Sequence, residues 1–379
     1  MTQLSSILAK IQDADSNSTI DDLHQLMKEV DRLSSTAAVY DSAGVLPTDS
    51  AFIGSAIVTG DGGFYVFTDS AQWELVDSSV APSEDVSDGF AWGGDRGAFF
   101  ETTSNAPEYF SISTLGSASA WGSNLLYNHR ASGVSSDASK LVIAGGNTHD
   151  DMEYLTWATL GTATSFGTVT DFNYTKDCGN GTCSDGTYGV FHSGNTNVDV
   201  VEATTLYFTF ASSGNASSGA ELTSGRRDGG LATDGTYGVY AAGYVGTNVI
   251  DYFAIANQSA AATDFGDATQ ARYGVGALSD ATYSVFAGGY TSTYVNTIDY
   301  ITTATPGNAT DFGDLATTRY STCGTSNNTL GVFCGGYANG SYSTSAEYLT
   351  IATPGNATNH SDLTFSYAHR GNSASGAAA

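Results

Sequence analysis

The sequence predicts an all-β fold, a six-bladed propeller preceded by a short α-helical N-terminal segment and a small β meander. A unit of roughly fifty residues recurs, and its apolar residues alternate with the period of a strand. The last unit stops after its opening strand, which is the strand that the first unit lacks. Units of this length with several short strands are typical of propeller blades.

The first repeated landmark is an apolar strand that ends in two small residues. Clear copies read YSVFAGGY at 283–290, LGVFCGGY at 330–337 and YGVYAAGY at 237–244, and weaker copies lie at 188–194, 140–146 and 89–94. The second glycine of each copy lies at the following positions: Gly94, Gly146, Gly194, Gly243, Gly289 and Gly336. We expect these glycines to let neighbouring backbones approach closely near the propeller axis.

The second landmark is an acidic residue followed by tyrosine in a short strand. It occurs five times, at Glu108-Tyr109, Glu153-Tyr154, Asp251-Tyr252, Asp299-Tyr300 and Glu347-Tyr348. The third unit carries the apolar stretch VEATTLYFTF instead. A basic residue opens the units, at Arg130, Lys176, Arg227, Arg272, Arg319 and Arg370. The recurrence of both charges predicts one structural ion pair in each blade.

The ends of the repeat region complement each other. Arg370 begins an opening strand that has no further strands after it, whereas the unit around Gly93-Gly94 lacks an opening strand. The C-terminal strand is therefore expected to pair within blade one and to close the ring, which removes exposed sheet edges.

These repeats resemble those of the kelch-like β-propellers over about four fifths of the chain. The late Trp of that family is mostly missing here, and Phe-Gly at Phe166, Phe265 and Phe312 occupies a similar place. The sequence IDYITTATPGNATDFGDL at 298–315, combined with GVFCGGY, is also similar to repeats in structural proteins of marine tailed bacteriophages. That resemblance implies a fibre or appendage protein on the exterior of a virion.

Composition limits the functional classes. The formal net charge of −27 argues against binding to nucleic acid, which needs a basic footprint. No apolar run is long enough for a transmembrane helix, so no membrane insertion is expected. The N-terminus does not read as a signal peptide, which predicts synthesis in the host cytoplasm.

The first 46 residues predict two short amphipathic helices and a linker. Their apolar stripes are made by Leu4, Ile7, Leu8, Ile11, Ile20, Leu23, Met27, Val30 and Leu33. Helices this short need a packing partner. They either dock on the propeller or serve as an assembly anchor to other virion proteins, with a homo-oligomer, preferably a trimer, as the expected state.

Residues 47–80 predict a three-stranded β module, and residues 81–379 the propeller. Asp61-Gly62-Gly63 lies between two alternating apolar runs, which is a strong hairpin signal, and a third strand is expected around Trp73. Such a module is also similar to ones that precede the distal domain of phage fibres.

The connection between the Gly-Gly end and the acid-Tyr pair varies in length from unit to unit, so these loops should share one rim of the disc. They contain the candidate receptor-binding tyrosines Tyr244, Tyr290, Tyr294, Tyr337 and Tyr342. Tyr with Ser, Asn and Gly is typical of adaptable recognition surfaces. The alternative is that the tyrosines after Gly-Gly only pack on the neighbouring blade.

No catalytic constellation is evident, and neither a catalytic residue nor a cofactor is predicted. The six histidines share no metal-ligand spacing. Clustered carboxylates suit calcium, and the candidates are Asp264, Asp267, Asp311 and Asp314, although TDFGD matches no known calcium loop. Cys323 and Cys334 are expected on successive strands, and Cys178 and Cys183 bracket a tight turn.

The functional hypothesis is a non-enzymatic virion protein that displays a propeller for binding to a host-surface glycan or protein. One alternative is a cellular kelch-type interaction scaffold, which predicts a recognisable partner domain. A second is a propeller carbohydrate-active enzyme, which requires carboxylates that converge at the mouth of the axis.

Overall fold

The computed structural model describes most of the repeat region and three strands before it. The described residues are 94–100, 107–114, 116–122, 124–127, 129, 132–137, 139–146, 150–157, 159–169, 180–192, 194, 201–244, 246–360, 362–363 and 373–376, together with the strands between 56 and 77. None of these residues belongs to a helix with the length and apolar character needed to cross a membrane.

The chain divides into two units, Met1–Ser87 and Asp88–Ala379. The first contains an antiparallel sheet of β1 (Ala56–Val58), β2 (Phe64–Phe67) and β3 (Trp73–Asp77) in that order. Val58 pairs with Phe64, so the strands flank the predicted Asp-Gly-Gly turn. The predicted helices of residues 1–46, with all nine candidate anchor residues, lie outside the described residues.

The second unit is an all-β, six-bladed propeller, as predicted. Its strands in blades one to three are β4 (Arg96–Phe100), β5 (Pro107–Ser111), β6 (Ser119–Ala120), β7 (Gly133–Ser136), β8 (Lys140–Ala144), β9 (Asp151–Thr156), β10 (Thr164–Thr168), β11 (Asn180–Ser184), β12 (Tyr188–His192), β13 (Thr204–Thr209) and β14 (Ser217–Glu221).

The remaining strands follow the same order. They are β15 (Gly230–Thr233), β16 (Tyr237–Ala241), β17 (Val249–Ala254), β18 (Thr263–Asp267), β19 (Gly276–Ser279), β20 (Tyr283–Ala287), β21 (Thr297–Thr302), β22 (Thr310–Asp314), β23 (Cys323–Ser326), β24 (Leu330–Cys334), β25 (Tyr337–Ala338), β26 (Ser341–Tyr342), β27 (Ala346–Thr350), β28 (Thr358–Asn359) and β29 (Ser373–Gly376).

Each blade is a four-stranded antiparallel meander, and consecutive blades surround one axis. Blade five, for example, has the order β19-β20-β21-β22. The innermost strands are neighbours in the ring order β29, β7, β11, β15, β19, β23 and back to β29. In blade one, β29 pairs antiparallel with β4, with Ser373 opposite Phe99. This architecture is consistent with kelch-like repeats.

One strand assignment from the sequence is wrong. The second strand of blade one is Arg96–Phe100, and not the GFAWGG stretch at 89–94. RGAFF has the same buried pattern as the second strands of the other blades, but it is not followed by Gly-Gly. The prediction relied on the Gly93-Gly94 pair, which lies before the strand and not at its end. The interval from Gly94 to Gly146 is therefore not a true repeat length.

Two steric constraints favour glycine at the Gly-Gly strand ends. Gly288 and Gly289 have φ values of +68° and +118°, in the left-handed region that side chains rarely adopt. A Cβ on Gly288 would also lie 2.7 Å from the carbonyl oxygen of Arg319 in the next blade. The expected close approach of backbones is therefore present, and the backbone turn adds a reason that the sequence pattern did not reveal.

The polar Gly-Asn-Ala loops join the outer edges of neighbouring blades. Asn308 Oδ1 accepts a hydrogen bond from Asp267 N at 3.1 Å, and Ala309 N donates to Asp267 O at 2.8 Å. The next interface repeats the pattern, with Asn356 Oδ1 3.0 Å from Asp314 N. These asparagines therefore satisfy backbone groups of an edge strand in the preceding blade.

We expect Gly313→Ala to destabilise the propeller by about 1–3 kcal/mol, the usual effect of overpacking. Gly313 has a φ of +145°, and its added Cβ would lie 2.5 Å from Gly355 O in the next blade. Gly355→Ala is the matched control, because a Cβ there meets no atom within 4 Å. Chemical denaturation of both variants measures the difference, and equal stabilities would contradict this description of the interface.

Cys323 and Cys334 lie directly opposite each other on β23 and β24, as the sequence suggested. Both are buried and neither forms a disulfide, and burial is the main cause that raises the pKa of Cys334 well above its usual value. Cys183 is also buried, whereas Cys178 lies outside the described residues.

Candidate functional site

Two kinds of connection between strands lie on the same face of the propeller. In blade five the linker from β18 to β19 and the loop from β20 to β21 both emerge where the Gly-Gly strand end lies. The same holds for blades four and six because their strands have the same order and direction. We call this side the Gly-Gly face. All five candidate receptor-binding tyrosines lie in its loops.

Buried ion pairs fix the inter-blade linkers of blades four, five and six beneath this face. In blade five, Arg272 Nη1 lies 2.9 Å from Asp299 Oδ2, and both side chains are fully buried. Asp299 also accepts hydrogen bonds from the backbone and hydroxyl of Thr269, and Arg272 donates to Phe286 O. The carboxylate therefore joins the third strand to the incoming linker.

The same pairing occurs in two neighbouring blades, which confirms the predicted acid–base link there. Arg319 pairs with Glu347 in blade six, and Ala316 N donates to that carboxylate. In blade four the partner of Asp251 is Arg226, at 2.9 Å, so the assignment of this role to Arg227 is wrong by one residue. The side chain of Arg227 lies over the ring of Tyr244 instead.

Blade two uses histidine in place of arginine. His129 Nε2 lies 2.7 Å from Glu153 Oε1, and its Nδ1 lies 2.5 Å from Gly145 O. His129 is 17 residues before Gly146, the same interval that separates Arg272 from Gly289. The constant interval of 17 residues before the second glycine is therefore a sequence signal for the residue that pairs with the acid. Arg130, Lys176 and Arg370 lie outside the described residues.

In blade three the residue before the tyrosine of the third strand is not acidic. An uncharged histidine, His192, lies on the adjacent strand β12. Leu206, not an acid, precedes Tyr207 in β13. His192 at the end of β12 is fully buried, and its ring centroid lies 4.7 Å from that of Tyr240. Burial, and secondly the charge of Arg226, lowers the pKa of His192 to about 3. Its Nδ1 accepts a hydrogen bond from Gly194 N at 3.0 Å.

We expect His192→Ala to make the propeller less sensitive to acid. The unfolded chain takes up a proton near pH 6.5, whereas folded His192 does so only near pH 3, so stability is lost as the pH falls between these values. The loss amounts to about 3 kcal/mol at pH 4. Alanine is the residue at the same place in blades four and five, Ala241 and Ala287. The unfolding free energy of both proteins measured from pH 7 to pH 4 tests this, and equal slopes would contradict it.

Above the ion pairs, seven tyrosines form a continuous cluster across blades four to six, which we call the tyrosine belt. Its members are Tyr244, Tyr273, Tyr290, Tyr294, Tyr320, Tyr337 and Tyr342. Successive ring centroids lie 5.2 to 6.1 Å apart. Most pairs meet at steep angles, whereas Tyr294 and Tyr320 stack with only 5° between their planes.

The belt contains all five tyrosines predicted for the rim and two that sequence reasoning missed. Tyr273 and Tyr320 lie in the inter-blade linkers, directly after the paired arginines. Tyr273 and Tyr290 exchange two backbone hydrogen bonds, and Tyr320 and Tyr337 do the same. The Arg-Tyr dipeptide recurs after 47 residues, at Arg272 and Arg319, and that recurrence could have identified them.

Backbone pairing explains why the belt ends at blade four. Tyr244 N donates to Arg227 O at 2.6 Å, so Arg227 occupies the place that a linker tyrosine has in the next two blades. Its guanidinium carbon lies 4.4 Å from the centroid of Tyr244, within the range of a cation–π contact. Arg227 also lies 3.7 Å from Asp228, so its charge is balanced locally.

The belt is accessible to solvent. Tyr244 is 40% exposed, and the other six rings are partly exposed. Burial, followed by the neighbouring tyrosines and Asp228, raises the pKa of Tyr273 above its usual value. The belt therefore combines aromatic faces with hydroxyl groups and can contact a ligand by stacking and by hydrogen bonds. The rings also pack on neighbouring blades. Packing between blades and contact with a ligand are therefore two roles that the same tyrosines can have.

The other chemical candidates are less organised. Asp264, Asp267, Asp311 and Asp314 lie on the outer strands β18 and β22. Within the described ranges, no three His, Cys, Asp or Glu side chains are grouped as they would be around a metal ion. His360 is half-buried beside Phe110, whereas His24, His149 and His369 lie outside the described residues.

No protein-family model matches the chain. A comparison with curated protein sequences also gives no match.

Proposed function

We propose that this protein is a non-enzymatic virion component, a fibre or appendage of a tailed phage that displays the propeller and binds the host surface through the tyrosine belt. The observation that carries the proposal is the belt itself: seven tyrosines from three blades share one partly exposed face. A rigid scaffold that groups adaptable aromatic side chains on loops is suited to recognition.

The charged groups of the repeat support binding in preference to catalysis. The carboxylates of Asp251, Asp299 and Glu347 are fully buried and paired with arginine. A carboxylate that is tied in this way has a structural role and is not free to transfer protons to a ligand. The alternative of a propeller carbohydrate-active enzyme would require other carboxylates at the axis.

The N-terminal segment supplies the attachment in this proposal. Its apolar stripes would join the chain to other virion proteins or to further copies of itself, with a trimer as the preferred state. Several copies of the belt on one appendage would then act together, so that weak single contacts give strong adhesion. The propeller would lie on the exterior of the particle.

The presence of the protein in purified particles of the encoding phage tests the virion assignment. We expect its peptides among the structural proteins by mass spectrometry, and gold-labelled antibodies against residues 81–379 on the outside of intact particles. Detection only in the cytoplasm of the producing cell would favour the cellular scaffold and would overturn the proposal.

The mass of the intact chain in solution, measured by light scattering, tests the attachment segment. We expect an oligomer that dissociates when the leucine and isoleucine positions Leu4, Ile7, Leu8 and Ile11 are changed to serine. A chain that is monomeric before and after these changes would contradict self-association through the N-terminus.

A further inference from the structure

We infer that the ligand of the tyrosine belt is a neutral carbohydrate chain. This inference rests on the proposed function, because it names the class of host-surface molecule that the same face would bind. It also extends the binding residues to Tyr273 and Tyr320, which contact the rings of Tyr290 and Tyr294.

The ring geometry suits a ligand with both apolar and hydroxylated surfaces. The ring contacts run from Tyr244 to Tyr342 over three blades, so the belt extends along this face. Its partly exposed tyrosines present aromatic surface for the C–H groups of a sugar and phenol hydroxyls for its hydroxyl groups, and the hydroxyl of Tyr337 donates to Gly340 O at 2.7 Å. An extended strip fits a chain of several sugar units better than a single small molecule.

Charge favours a neutral ligand over an acidic one. Between residues 201 and 363 the chain has four basic residues, Arg226, Arg227, Arg272 and Arg319. Three of them are buried in ion pairs, and the fourth, Arg227, lies beside Asp228. The whole chain carries a formal charge of −27. An acidic polysaccharide would therefore be repelled and would find no unpaired cation on these blades.

A buried hydroxyl without a hydrogen-bond partner follows one of the belt tyrosines. Ser321 follows Tyr320, is 2% exposed, and its Oγ has no hydrogen-bond partner among the described residues. The neighbouring blade has Gly274 at the equivalent place, where a Cβ would lie 2.8 Å from the ring of Tyr320 and 3.3 Å from Ser321 Oγ. The ring of Tyr320 and the hydroxyl of Ser321 therefore both border the space beside Gly274.

The test uses the full chain, labelled and added to host cells, with two treatments of the cell surface. Periodate, which cleaves sugar diols, is expected to abolish the binding that depends on the belt, whereas protease treatment is expected to leave it. Loss after protease but not after periodate would identify a protein receptor. That result would overturn the carbohydrate inference and leave the proposed host binding intact, whereas no binding to untreated cells would contradict the proposed function itself.

A second arm tests charge. Polysaccharide extracted from the host surface is separated by anion exchange into a neutral and an acidic pool, and each pool competes with the cells for the protein. We expect the neutral pool to compete and the acidic pool not to compete. Competition by the acidic pool alone would overturn the inference.

Variants connect the result to the belt. Tyr294→Ala and Tyr320→Ala are expected to weaken competition by the neutral pool about tenfold, since each removes one of the two stacked rings. Tyr283→Ala is the matched control, because Tyr283 is a half-buried tyrosine in a ring pair at the opposite end of its blade. Equal effects of all three changes would contradict a specific role for the belt.

Discussion

Replacing Asp299 with leucine is expected to destabilise the propeller by about 3–5 kcal/mol, the usual cost of leaving a buried charge without its partner. Arg272 is fully buried, and its nearest acidic group is Asp299 at 2.9 Å. Burial lowers the pKa of Arg272, whereas Asp299 raises it. Without the carboxylate only the unfavourable effect remains, and Thr269 also loses its acceptor.

The double variant Arg272→Met with Asp299→Leu is the informative control. Replacing both partners with apolar residues removes the uncompensated charge, so its loss of stability should be clearly smaller than the sum of the two single losses. Blade three provides a natural precedent, because Leu206 stands in the acid position and is buried. Additive losses in a denaturant series would show that the two side chains do not stabilise each other.

Removing residues 364–379 is expected to prevent stable folding of the propeller. The deletion removes β29, which pairs with β4 along Arg96–Phe99 and neighbours β7 and β23 in the inner ring. Blade one would then expose the backbone groups of β4, and the ring would have an open edge that favours aggregation. The loss should be comparable to the whole stability of an ordinary domain, about 5–15 kcal/mol.

Removing only residues 377–379 is the matched control, since these residues follow β29. Thermal unfolding and the soluble fraction of both truncated proteins measure the effect. A long truncation that unfolds at the same temperature as the short one would mean that the terminal strand does not close the ring.

The repeat spacing predicted the number of blades because each blade is a local meander whose strands follow one another in the chain. The same reasoning misplaced the second strand of blade one, because the Gly-Gly signal there lies before the strand and not at its end. Arg226 and Arg227 show a second limit. Both are basic, and the charge pattern alone does not distinguish them, whereas the interval of 17 residues to Gly243 selects Arg226, which pairs with Asp251. The prediction missed His129 because it considered only lysine and arginine as basic partners of the acidic residue.

The candidate site was partly predictable for a related reason. The loop tyrosines stand out because they follow the Gly-Gly strand ends or lie in loops of variable length. Tyr273 and Tyr320 lie at the opening of their units, outside the loops of variable length, and they contact the loop tyrosines in the folded propeller. The recurring Arg-Tyr dipeptide could have identified the two residues, but it could not have revealed their ring contacts, which join residues that are distant in sequence.

The measurement that tests the central claim most directly is inhibition of phage adsorption by the soluble full-length protein. We expect the unchanged protein and the Tyr283→Ala control to protect host cells equally, and the double variant Tyr294→Ala with Tyr320→Ala to lose that protection while unfolding at a similar temperature. Full protection by the folded double variant would contradict the claim that the tyrosine belt is the surface that binds the host.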